Sequence, residues 1–417
     1  MTLIRSTSVL SAGVVLLLAP WSVAQEIKAE ASAETPAEVE AAPEPAPEPE
    51  AVAEPEPEPE PAPVVVEEAP GEEAVAEEEP TTGLSYLVFA DAYASFQTAA
   101  PGSPSPSYRA YDSSVNSGAG AQAQDGFQLS WLGVDLNWDG GPVGATVNLR
   151  GGPGVNIYYY DTRMTGPVSF TQAYVTWKPL ENLSLDFGMF GTLFGAEVVE
   201  NWANFNYTRS ALYYQMQPFW HTGLRASYAL SDEFSINGFI ADDANQISLL
   251  NSAGGNSTMQ AALQLAYAGN GFSAAVGTMQ TLGENSLSGF DRFVDLVLGY
   301  SDDKFGVLFN GDLNIGDNAA NDYYGLSLAA RYFFVPEFGI ALRGDFLDLS
   351  LDASNDEVVT GTLTFDYRPL KGADNLILRW DNRVEAATGQ YTNRDGAPAD
   401  AWFSSTIGVT AYTSGML

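Results

Sequence analysis

The sequence predicts an all-β fold: a transmembrane antiparallel β-barrel of about 16 strands, with about 12 to 18 the open range, behind a disordered acidic linker rich in Pro, Glu and Ala. Three observations predict it. Apolar residues alternate with polar ones at period two through most of residues 83–417. The alternating segments run to about 10 to 14 residues, whereas ordinary strands hold about 5 or 6 and a tilted membrane-crossing strand needs about 9 to 11. Short and long connections then alternate, as they do in outer-membrane barrels, where periplasmic turns are short and external loops long.

The 417 residues carry 53 Asp+Glu against 17 Lys+Arg, one His and no Cys, for a net charge of −36. Absence of Cys excludes a disulfide framework, a zinc ribbon and an iron–sulfur site. A lone His makes His-based metal or triad chemistry improbable, so no metal, cofactor or catalytic group is expected. Nucleic acid is excluded as a partner, because its binding needs Lys and Arg to displace counterions. With 22 Phe, 20 Tyr and 8 Trp, the chain is too aromatic to be wholly disordered.

The charge divides the chain into three zones. Residues 1–24 read as a signal peptide, with Arg5 in the n-region, an apolar run from Val9 to Pro20, and Ser22-Val23-Ala24 as a small-x-small cleavage site. That run is short of the ~20 residues a spanning helix needs. Residues 25–82 hold 19 Glu and 12 Pro with Lys28 the one cation. Proline removes ladder donors and like charges repel, so this zone should be a stiff, solvated periplasmic linker reaching on the order of 180 Å at about 3.1 Å per residue. A plain spacer is the first reading, and contact with peptidoglycan the sharper one. Residues 83–417 hold the remaining acids, net −19, and nearly every aromatic.

In this third zone sixteen segments start near Leu84, Gly126, Val143, Pro167, Leu183, Pro218, Phe234, Thr258, Gly271, Asp291, Lys304, Tyr323, Glu337, Glu357, Asn375 and Asp400. Tyr323 to Phe334 shows both faces: Tyr324, Leu326, Leu328, Ala330, Tyr332 and Phe334 oppose Gly325, Ser327, Ala329 and Arg331. The second, ninth and thirteenth segments slip parity, as bulges would make them do. With the first strand running outward, short turns such as Pro179 to Asn182 and Ser301 to Lys304 are periplasmic. The external loops include Gly191 to Gln217, Asp352 to Asp356 and Ala386 to Ala399. Sixteen to eighteen strands leave a water-filled channel, where eight would be filled by side chains.

Gln172 opens the stretch QAYVTWKPLENLSLDFGMFGTLFGAEVVENWANFNYTRS, followed by PFWHTGLRASYALSDEFSINGFIADDANQ. Its aromatic-rich strand, its Phe-Gly loop (Phe190-Gly191, Phe194-Gly195) and its Pro-Phe-x-His-Thr-Gly strand resemble the porin-2, OmpL-like family of bacterial outer-membrane barrels. The resemblance covers about a third of the mature chain and implies passive diffusion of small hydrophilic solutes. Outer-membrane barrels end on an aromatic residue; here the chain ends Tyr412-Thr413-Ser414-Gly415-Met416-Leu417, so Tyr412 would be a recessed substitute.

The third external loop is the candidate for function. Phe194, Trp202, Phe205, Tyr207, Tyr213 and Tyr214 have no reason to lie in solvent, so the loop is expected to enter the lumen and present Glu197 and Glu200 to a basic wall. Parity puts Arg150, Arg225, Arg331, Arg343, Arg379 and Arg383 on the polar face. Acidic loop and basic wall across a narrow aqueous gap would make a transverse field that selects solutes by charge. The plainer reading pairs these arginines with Asp345, Asp381 and Glu385 to satisfy buried charge. His221, also on the polar face, is read first as a hydrogen-bonded structural residue and second as a pH-sensitive pore residue. Asp pairs such as Asp242-Asp243 and Asp302-Asp303 read as Asx turns.

The sequence therefore reads as a passive outer-membrane porin for small hydrophilic solutes and ions, in contact with lipid and lipopolysaccharide. By analogy with general porins it would be a homotrimer. Wall arginines favour anions and the net −19 favours cations; screening of loop charge within about 8 Å inclines the reading to mixed or mildly anion-tolerant passage. A structural or adhesive protein whose linker organises the periplasm, and a substrate-specific channel, are the alternatives.

Overall fold

A computed structural model of the chain describes residues 83–99, 126–155, 168–245, 258–283, 289–316, 322–349, 357–371 and 374–417. The expected signal peptide and linker, and the tips of several external loops, lie outside the described residues. Sixteen strands close into one barrel. In chain order they are β1 (Gly83–Gln97), β2 (Gly126–Asp139), β3 (Val143–Gly151), β4 (Val168–Leu180), β5 (Leu183–Gly191), β6 (Trp220–Ala229), β7 (Phe234–Asp242), β8 (Met259–Gly269), β9 (Phe272–Leu282), β10 (Arg292–Ser301), β11 (Phe305–Asn314), β12 (Tyr323–Val335), β13 (Phe338–Asp348), β14 (Glu357–Tyr367), β15 (Leu376–Thr392) and β16 (Pro398–Met416). Each pairs antiparallel with its chain neighbours, and β1 closes on β16 from Ser85–Met416 to Gln97–Ser404. Closure is what lipid demands, since an open edge would leave backbone groups without partners.

The period-two alternation sorts side chains as expected. Leu326, Leu328, Leu342 and Val384 stand exposed on the outer surface, while their neighbours Ser327, Arg343, Asp345 and Arg383 are buried inward. The barrel is thus apolar outside and polar inside, the reverse of a soluble sandwich. Aromatic pairs mark the short-turn end: Phe234–Tyr267 and Phe272–Tyr300 lie 4.8 Å apart by ring centroids and Tyr332–Phe334 5.2 Å. Such rings suit the membrane interface, with an apolar body and a polar tip.

The turns at that end follow from local chemistry. Asn270 and Gly271 both take positive φ, 52° and 82°, which a two-residue hairpin turn with right-handed strand twist requires. Asp302 Oδ1 accepts from Lys304 N at 2.8 Å and Phe305 N at 2.7 Å, an Asx turn.

Three details depart from the periodicity. The bulge expected in the second strand is at Ser130–Trp131, two consecutive buried residues beside the register shift at Asp91/Ala92. However, β9 pairs without a shift on either side, and the irregularity next to β13 lies at Phe333/Val335 on β12. A further shift sits in β4 opposite Asn148/Leu149, where alternation gave no sign of it. The last hairpin also continues past the membrane: β15 and β16 pair out to Thr392–Pro398, through most of the stretch that composition assigned to an external loop.

Candidate functional site

Between β5 and β6 lie residues 192–219, which hold a 3₁₀ turn (Asn201–Ala203) and one short helix, α1 (Ala211–Met216). Thr192 N donates to Phe219 O at 3.1 Å, closing the neck of this segment. Asn204 then folds it on itself, accepting from Val198 N at 2.9 Å and donating to Val198 O at 2.7 Å. Ser210 caps α1 through Tyr213 N at 2.9 Å, satisfying one of the helix's orphan donors. Every residue from Asn201 to Tyr213 is buried, although the segment belongs to no strand.

Its partners are inward-facing side chains all around the barrel. Leu193 O accepts from Gln264 of β8, Gly195 N donates to Asp295 of β10 at 3.1 Å, and Ala196 N donates to Asn310 of β11 at 2.9 Å. On the opposite wall Asn201 Nδ2 reaches Asp91 Oδ2 of β1 at 2.7 Å, and Tyr207 OH donates to the same carboxylate at 3.1 Å. Thr208 N and Oγ1 both meet Asp381 Oδ2 of β15 at 2.8 Å, Asn206 Nδ2 meets Thr364 of β14 at 2.6 Å, and Ala211 N meets Asp345 of β13 at 3.1 Å. A segment fastened to β1, β8, β10, β11, β13, β14 and β15 crosses the lumen.

Glycines receive its bulky side chains. A Cβ on Gly408 of β16 would overlap the Tyr207 ring, and one on Gly325 of β12 would overlap Met216 and Leu212. Trp202 stacks on Tyr412 at 5.0 Å, so Tyr412 faces the lumen and not the lipid.

The candidate residues divide into those the segment touches and those it does not. Glu197 Oε1 accepts from Arg343 Nη1 at 2.9 Å, and its Oε2 accepts from Ser210 N at 2.6 Å. Glu200 Oε1 lies 2.6 Å from Arg150 Nη2, whose guanidinium also holds Asp135. Direct ion pairs thus stand where an aqueous gap was expected. Arg343 further donates to the carbonyls of Thr208 and Arg209, and Arg383 to Arg209 O at 2.8 Å. Arg379 joins Asp366 at 2.7 Å to Asn201 O at 2.6 Å. Arg331 lies over the Phe205 ring, 4.5 Å from its centroid. Arg225 stays on the wall with Asp186 at 2.8 Å, apart from both loop acids. His221 sits between Phe190 and Phe239, with Nε2 3.3 Å from Thr192 Oγ1.

Sequence reasoning missed the segment's own buried cation, Arg209, and the acceptors Asp91, Asp295 and Asp312. Inward parity could have found the three acids, since each sits on the polar face of its strand. Between segment and wall a cavity of about 10 Å³ remains, lined among others by Ala196, Glu197, Phe205, Asn310 and Arg343. That is about the space one water needs.

A closed sixteen-strand barrel with a lipid-facing apolar belt and a polar lumen is the architecture of outer-membrane porins and channels. The chain belongs to the family described as putative beta-barrel porin-2, OmpL-like, whose profile matches residues 88–413. Its place is the outer membrane. Among solved structures it is similar to the anion-selective porin from Comamonas acidovorans, at 13% identity and a TM-score of 0.52, with 80% of this chain and 100% of that chain covered. It is likewise similar to the in-vitro folded trimer form of OmpT, an outer membrane protein of Vibrio cholerae, at 12% identity and a TM-score of 0.50, covering 80% and 99%. At these identities the likeness is one of fold. No curated protein matches the chain.

Proposed function

We propose that the protein is a passive porin in which residues 192–219 constrict the lumen, so that only small hydrophilic solutes and ions pass. The observation that carries this reading is the crossing of the lumen by that segment, pinned by Glu197–Arg343 and Glu200–Arg150. Such a segment lowers the free cross-section without closing the barrel covalently, and its charged partners set which ions enter.

Because the wall guanidiniums are largely neutralised by Asp135, Asp186, Asp345, Asp366 and Glu385, the net field is weak, and mixed or mildly anion-tolerant passage follows. Assembly as a homotrimer is part of the same proposal. Residues 1–24 serve as the export signal and residues 25–82 as a periplasmic spacer, a reading supported by their charge and proline content. The protein does no chemistry on its solutes.

Planar-bilayer recording tests the constriction. Replacing residues 193–217 by a short Gly-Ser linker should raise single-channel conductance several-fold in a barrel that still runs as the heat-modifiable folded form. Unchanged conductance would remove the segment from the permeation path, and an ohmically silent barrel in both forms would sink the porin reading.

A further inference from the structure

The two ends of the crossing segment meet on one acid pair. Asp295 of β10 and Asp312 of β11 are direct cross-strand partners on the lumenal face. Both are buried, at 0% and 3% exposure, and their carboxyls lie within hydrogen-bond reach of each other. Asn310 Nδ2 bridges them, 2.8 Å from Asp295 Oδ1 and 3.1 Å from Asp312 Oδ1. From the start of the segment Gly195 N donates to Asp295 Oδ1 and Ala196 N to Asn310 Oδ1. From its end Gln217 Nε2 donates to Asp312 Oδ2 at 3.0 Å and also reaches Asn310 Oδ1.

This pair differs from its neighbours in having no cation. Asp135, Asp186 and Asp366 each hold an arginine within 3 Å. Asp295 and Asp312 are met by amides and by each other; among the described residues neither forms an ion pair, and no amide or hydroxyl donates to buried Asp295 Oδ2. The surroundings add none. Across β9 the pair faces Gly277 and, beyond it, Gln264 of β8; on β12 it faces Gly325, with Tyr323 nearby. Asp291 adds a further acid just before β10, whereas Arg292 points outward. Arg343 of β13 and Glu197 lie beyond Asn310 across the small cavity and are paired with each other.

Two touching carboxyls with no cation beside them cannot both be ionised in a water-poor site, so they hold a proton between them. We propose that Asp295 and Asp312 form a proton-binding latch that fastens both ends of residues 192–219, and that release of the shared proton to solvent as pH rises frees the segment and widens the lumen. The latch rests on the reading of this segment as the constriction. With both carboxyls ionised, each holds its own amide donor more strongly, but their mutual repulsion drives the two carboxylates apart and so draws Gly195 N, held by Asp295, away from Gln217 Nε2, held by Asp312. The segment's other ties at Glu197, Glu200, Asn201, Asn206, Tyr207, Thr208 and Ala211 hold the stretch between, and its ends keep the Leu193 carbonyl on Gln264 and the Thr192–Phe219 neck.

The experiment is single-channel recording on the full barrel across a pH series, for wild type, D295N and D312N, with folding checked by heat-modifiable gel mobility. Asparagine imitates the protonated acid. Wild-type conductance should rise several-fold with pH, and each variant should stay at the low-pH level throughout. An infrared spectrum of the same samples supplies a readout that needs no current: the carbonyl stretch of a protonated carboxylic acid should be present at neutral pH in wild type and absent from both variants. Variants that titrate like wild type, absence of that band, or a conductance that follows calcium against chelator at fixed pH would each overturn the latch. If wild type carries no current at any pH while the band is present, the porin reading fails and the proton site stands.

Discussion

Glu200 Oε1 lies 2.6 Å from Arg150 Nη2, and the same guanidinium holds Asp135 of the adjacent strand, so one wall arginine ties the crossing segment to β2 and β3. Arg150 is nearly inaccessible and Glu200 is largely shielded, which makes this a pair that salt screens poorly. E200Q should cost about 3 kcal/mol, in the range for breaking a buried pair, and should loosen the segment while the barrel persists. The check is twofold: a lower gel-shift melting temperature and more frequent current fluctuations. A variant as stable and as quiet as wild type would show that the segment is held elsewhere.

The glycine at position 408 makes a sharper mechanical prediction. Because the Tyr207 ring occupies the space a Cβ would need, G408V must displace Tyr207 from Asp91, the carboxylate that also accepts from Thr410 Oγ1. Overpacking of this kind costs about 1–3 kcal/mol. The pair G408V/Y207A should recover most of that loss, read by thermal unfolding in detergent; failure of Y207A to rescue would place the cost in the β16 backbone.

Charge coupling across the segment is measurable at Glu197 and Arg343, 2.9 Å apart. A double-mutant cycle with E197Q and R343Q should return a coupling of about 1 kcal/mol or more, as contacting ionic residues do. R343Q alone should move the reversal potential in a salt gradient towards cation selectivity. An unchanged reversal potential would take Arg343 out of the permeation path.

Outside the lumen, Leu342 faces the lipid midway along β13, next in sequence to Arg343, which faces in. L342R should destabilise the barrel by about 2–4 kcal/mol in bilayers, the cost of arginine at the midplane. Tolerance of this change in lipid vesicles, measured by folding yield, would overturn the assignment of faces.

The turn after β10 gives a pH signature. Backbone N–H groups of Phe305 and Lys304 hold the Asp302 carboxyl below its ordinary 3.8. A depressed value means the ionised form is the one the turn favours, so the turn's support is complete above about pH 4 and fades as pH falls through the lowered value. The amide shifts of Lys304 and Phe305 should titrate together with a midpoint below 3.8. A midpoint at or above it would refute the turn assignment.

The alternation that ran through Tyr323 to Phe334 and its neighbours determined the strand count and the outward face, because strand pairing and lipid contact both act on every second residue and leave a local mark. Each of the sixteen starts read from sequence lies within about two residues of an observed strand. The aromatic content of residues 192–219 likewise told that this loop avoids solvent. Which residue of the segment meets which group on the wall was not legible. Asn201 meets Asp91 across 110 positions, Tyr207 meets Asp381 across 174, and Gln217 meets Asp312 across 95. Those partners are neighbours only because the barrel closes β1 on β16 and brings opposite walls around one segment. Closure is a property of the whole sheet, so the tertiary structure alone decided that Asp295 and Asp312, the cross-strand acids without a cation, would receive both ends of that segment.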